Sequence, residues 1–80
     1  MKLRAEISMY PLSDNFIPFI DDVIARLKSH EGITLSTNEL STQIYGDYDK
    51  VMHILNQEMK LSFKSDTKMV FVAKFHCPGE

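Results

Sequence analysis

The chain opens with a strict alternation: Leu3, Ala5, Ile7 and Met9 interleave with Arg4, Glu6, Ser8 and Tyr10. A period of two predicts a strand with one buried face, and Pro11, which has no amide donor, closes it. The period then changes. Phe16, Ile17, Ile20, Val23, Ile24 and Leu27 recur at helical spacing and predict one apolar helix face. Ser13 or Asp14 is placed to cap that helix, Pro18 is tolerated within its first turn, and Gly32 follows its end. Ile33 to Thr37 reads as a second strand, Asn38-Glu39 as a turn, and Ser41 to Tyr45 as a third strand, which together make a hairpin. Gly46-Asp47 breaks the strand and opens a second helix. Its apolar positions are Tyr48, Val51, Met52, Leu55, Met59 and Phe63, with Tyr48 and the two methionines expected in the core. Ser65-Asp66 ends that helix. Met69 to His76 follows as a fourth strand, with Met69, Phe71, Ala73 and Phe75 on one face.

The order β-α-β-β-α-β predicts the α+β class. The expected form is a ferredoxin-like sandwich, a four-stranded antiparallel sheet with both helices on one face. Every connection is short, so residues 1–80 are expected to form a single domain. A domain this small buries roughly 60–65 % of its unfolded surface, and oligomerisation is a common way to bury more.

An apolar fraction of 44 % with 25 % charged residues indicates a folded chain, and the formal net charge is −2. No run of Lys and Arg interleaves with aromatics, so nucleic acid is not the expected partner. Weak acidity disfavours an anionic membrane surface but not a cationic small molecule. The first residues carry no apolar run of signal-peptide length, and no segment approaches the ~18 apolar residues of a membrane span. The expected location is cytoplasmic.

Chemistry-bearing motifs are sparse. There are 3 glycines and no phosphate-binding loop among them. His30, His53, His76 and Cys77 lack metal-ligand spacing, with His53 expected to face solvent and His30 to serve a helix end. Cys77 is the one cysteine, so no intramolecular disulfide forms, and beside a proline it lacks the setting of a nucleophile. Asp47 and Asp49 suit the N-terminus of the second helix. Neither a metal, a cofactor nor an enzymatic activity is expected.

One edge of the predicted fold is richer. The end of the first strand, the hairpin tip and the start of the first helix meet there, collecting Ser8, Tyr10, Asp14, Thr37, Glu39, Ser41 and Thr42. Hydroxyls and an aromatic ring suit an aminopyrimidine, which needs hydrogen-bond partners and a flat apolar surface. Asp14 and Glu39 are possible partners for a cationic ring. Such hydroxyls more commonly serve local turns.

Ser8-Met9-Tyr10-Pro11, then Asp14, Phe16-Ile17 and Ile20, resemble the opening of the YkoF-like thiamine- and hydroxymethylpyrimidine-binding family. Ser41-Thr42, Gly46 and Asp49-Lys50-Val51 resemble its central segment, and Cys77-Pro78-Gly79-Glu80 is similar to the close of its repeat. The resemblance implies a non-catalytic protein of vitamin uptake or salvage that binds thiamine or its hydroxymethylpyrimidine moiety. It also implies ferredoxin-like domains working in pairs, here as a homodimer or homotetramer of identical chains. Ser8, Tyr10, Ser41 and Thr42 match as ligand-binding positions, and Thr37 joins them by the edge geometry. The alternative reading is a structural or regulatory ferredoxin-like oligomerisation module, assembled through the sheet face of Arg4, Glu6, Ser8, Tyr10, Val70, Val72 and Lys74.

Overall fold

The computed structural model describes residues 1–12, 17–64 and 68–79. Six elements follow in the predicted order: β1 (Lys2–Pro11), α1 (Ile17–Lys28), β2 (Ile33–Thr37), β3 (Thr42–Asp47), α2 (Tyr48–Phe63) and β4 (Met69–His76). The strands form one antiparallel sheet in the order β2-β3-β1-β4, which with two helices is the ferredoxin-like α+β fold.

The register explains where the core sits. Ala5 lies opposite Ile44 on β3 and Phe75 on β4, and Ile7 lies opposite Thr42 and Ala73. Side chains alternate across the pleat, so Leu3, Ala5, Ile7 and Ile44 share one face. They are buried against Val23 and Leu27 of α1 and Val51, Ile54 and Leu55 of α2. Each fully buried aliphatic side chain contributes about 1.5–3 kcal/mol relative to exposure. The other face carries Arg4, Tyr10, Val70, Val72 and Lys74, all exposed.

The structure corrects several expectations. β3 runs from Thr42 through Gly46 and Asp47 instead of from Ser41 to Tyr45, because the pairing with β2 begins at Thr37 opposite Thr42 and Gly46 pairs with both Leu3 and Ile33. Tyr48 is 43 % exposed, since it opens α2 at the rim of the sheet, beyond the core. Asp47 stands at the N-cap of α2, yet its side chain makes no capping bond and accepts instead from Lys2 Nζ at 2.8 Å. Ala73 and Phe75 share the helix-side face of β4 as predicted but are exposed, as β4 is an edge strand that the helices cover only in part. Phe63 is also exposed, although its ring meets Phe71 edge-on at 5.5 Å. Ser13, Asp14, Ser65 and Asp66, expected at helix ends, lie outside the described residues.

Candidate functional site

The β2–β3 hairpin is shaped by Asn38. Its Oδ1 accepts the backbone N–H groups of Leu40 at 2.8 Å and Ser41 at 3.0 Å, closing the turn by a side-chain mimic of a backbone bond. Ser8 Oγ of the central strand donates to the Leu40 carbonyl at 3.4 Å, which ties the hairpin tip to β1. Thr37 and Thr42 are register partners, and their hydroxyls lie 3.0 Å apart. Around the tip is a shallow recess of about 90 Å³ bordered by Ser8, Thr37, Glu39, Ser41 and Thr42.

Five of the seven residues singled out from the sequence therefore converge. Tyr10 does not border the recess; it is 54 % exposed on the open face of the sheet, opposite Val70. Asp14 lies outside the described residues. The pleat also divides the group. Thr42 lies on the helix side of the sheet with Ile44, whereas Ser8 and Tyr10 lie on the open side. Ser41 Oγ donates to Glu6 Oε2 at 3.2 Å, Gln43 Nε2 donates to the same oxygen at 3.4 Å, and Lys74 Nζ stands 3.9 Å from Glu6 Oε1. Glu6 thus gathers the polar groups of the open face.

A second cavity, of about 170 Å³, lies between the sheet and the helices. Its walls are apolar, including Ile7, Leu27, Leu55, Met59 and Phe71, with Thr42 and Glu58 as the two polar residues. Thr42 borders both this cavity and the hairpin recess. Glu58 is only 4 % exposed. Arg26 of α1 reaches it from the neighbouring helix, donating from Nε to both carboxylate oxygens at 3.1 Å, with Nη2 3.0 Å from Oε2. Such a fork fixes orientation as well as charge. The sequence reading missed Glu58. Its signal was the spacing Val51, Leu55, Glu58, Ser62, which carries the buried stripe of α2 onto an acid.

Elsewhere the Lys2 ammonium, by its hydrogen bond and then by its charge, holds the Asp47 carboxyl below its ordinary pKa. Cys77 is exposed, as is His53. Among the described residues no three His, Cys, Asp or Glu side chains converge, and no helix is long and apolar enough to cross a membrane.

Comparison with known proteins agrees with this architecture. Protein SP2199 of Streptococcus pneumoniae superposes with a TM-score of 0.86 at 28 % identity, over 100 % of this chain and 89 % of its own. A Methanocaldococcus jannascii protein matches at 0.79 with 21 % identity, over 99 % and 82 % of the two chains. A Thermotoga maritima protein proposed for thiamine biosynthesis or salvage matches at 0.70 with 15 % identity, over 92 % and 83 %; at that identity the likeness is one of fold. No curated protein matches the sequence. The profile of the thiamine-binding proteins matches residues 5–74, nearly all of the six elements, and the chain belongs to the thiamine-binding protein family.

Proposed function

We propose that this protein binds thiamine or its hydroxymethylpyrimidine moiety without transforming it, in the cytoplasm, in the service of vitamin uptake or salvage. Membership of the thiamine-binding family over residues 5–74 carries the reading. The name of the Thermotoga maritima neighbour agrees in kind. The hairpin recess supports it chemically, since Ser8, Thr37, Ser41 and Thr42 offer hydroxyls to ring nitrogens and amino groups. Glu39 at the rim, and Asp14, serve as charge partners for a thiazolium. Tyr10 faces away from the recess, so its ring packs on ligand only across a seam between copies, in a homodimer or homotetramer.

A thermal-shift titration with thiamine, hydroxymethylpyrimidine and cytosine tests the reading. Binding to the folded state alone stabilises it by about 2.7 kcal/mol at a hundredfold excess over Kd. A dose-dependent rise with the first two compounds is expected, together with its loss in the Ser41→Ala, Thr42→Ala double variant. A flat response to all three in the folded protein removes the vitamin from the account.

The second reading, an assembly module without a vitamin ligand, is favoured by one observation. Tyr10, Val70 and Val72 are exposed side by side on the open sheet face, among Arg4, Glu6 and Lys74. A stable oligomer indifferent to every vitamin offered decides for it.

A further inference from the structure

We propose that Arg26 and Glu58 form a strut that holds α1 off the sheet, and that this strut keeps the cavity between the sheet and the helices open. It sets the shape of the cavity whichever ligand the protein takes. The cavity measures about 170 Å³ and exposes no polar surface, with Val23 and Leu27 of α1 facing Ile7, Met9 and Phe71 of the sheet. Such a space stays dry. Its lining atoms lack partners on one side, and the cost grows with the volume left unfilled. A small inward step of α1 brings the apolar walls together and removes that cost. α1 has not taken it. Among the described residues α2 lies close along β1, β3 and β4, whereas α1 follows no strand in this way. Ala73, on the helix side of β4 and well within the strand, is left exposed.

The pair stands where it can set this spacing. Glu58 lies on α2 between Leu55 and Met59, which both line the cavity, and Arg26 adjoins Leu27 on α1. The Glu58 side chain is buried and turned to Arg26, whose Nε donates to both carboxylate oxygens at 3.1 Å while Nη2 stands 3.0 Å from Oε2. A guanidinium that meets a carboxylate in this way fixes distance and direction together. An inward step of α1 breaks these contacts and leaves a buried carboxylate without its partner, a penalty of the same order as the cost of the open cavity. A buried ion pair adds little stability over packed hydrocarbon, so its contribution here is the spacing.

The Arg26→Met, Glu58→Met double variant removes the strut and leaves no charge buried, so its urea midpoint should be unchanged or higher. Benzene probes the volume, and in the wild type should give ring-current shifts at the Leu27 and Leu55 methyls. In the double variant benzene uptake should fall tenfold or more, and methyl NMR should show new contacts from Val23 and Leu27 to the Ala73 methyl. A lower midpoint with benzene uptake retained assigns the pair to stability alone and overturns the strut. Loss of benzene without the new Ala73 contacts means that the methionines have filled the space, and also overturns it. Arg26→Lys covers the case of a double variant that does not fold. It adds no apolar atom and keeps the charge but gives up the fork, so benzene uptake should weaken severalfold. Unchanged uptake in Arg26→Lys overturns the strut, as does a wild type that takes no benzene, since its cavity is then closed in solution.

Discussion

Lys2 and Asp47 join the first residue of β1 to the last of β3, at 2.8 Å. The pair makes a pH-dependent contribution whose sign follows from the direction of the shift. Asp47 has a folded-state pKa below its unfolded value, so its contribution is fully present above the unfolded pKa and is lost as pH falls through the folded one. Carboxyl NMR should show Asp47 titrating at lower pH than an ordinary aspartate, and Lys2→Ala should return it to the usual range. A midpoint unmoved by Lys2→Ala would place the cause elsewhere. The expectation for Asp47 was a helix cap, and the competing partner was invisible because Lys2 lies 45 positions away along the chain. Glu58 was hidden for a related reason. A glutamate in a helix is read as solvated by default, and only the opposing Arg26 of α1 makes its burial tolerable.

Among elements, β2 and β4 were legible to the residue, since apolar and β-branched runs bounded by turn formers leave little choice. β3 was not. Gly46 reads as a strand breaker, yet it is buried within the strand, where the backbone at Gly32 and Ile33 passes unusually close. A Cβ there would stand 3.1 Å from both the Gly32 carbonyl oxygen and Ile33 Cγ2. Gly46→Ala should therefore push β2 away from β3 and cost about 1–3 kcal/mol, the usual range for overpacking. Urea denaturation measures it, and an unchanged midpoint would mean that β2 yields freely. Gly32 has its own requirement, a φ of 81° in the turn from α1 into β2, where a side chain is strained. The two glycines make that one corner of the sheet possible.

At the scale of the molecule, the helices protect one face of the sheet and leave the other to solvent. The period-two pattern foretold this division, and with it the end of the sheet where the hydroxyls gather. It did not foretell which hydroxyls share a face. Ser8 and Thr42 part company only once Ile7, and not Ser8, is set opposite Thr42, and that register belongs to the pairing of two strands. If the open face is where copies meet, Val72→Glu places a charge at its centre, opposite Ser8. Sedimentation should then show the monomer mass with the far-ultraviolet dichroism unchanged. An assembly that survives the substitution uses another surface.

The exposed Cys77, one residue beyond the end of β4, turns the same question into a length. Because the chain has 1 cysteine, a nitroxide attached there marks each copy once, and a two-fold assembly yields one spin–spin distance. Sheets stacked through their open faces lie about 10 Å apart, while strands joined along an edge lie about 4.8 Å apart. The separation of the two labels follows from whichever geometry the chains adopt, so a solution ruler is already built into the polypeptide at the margin of the surface it would measure.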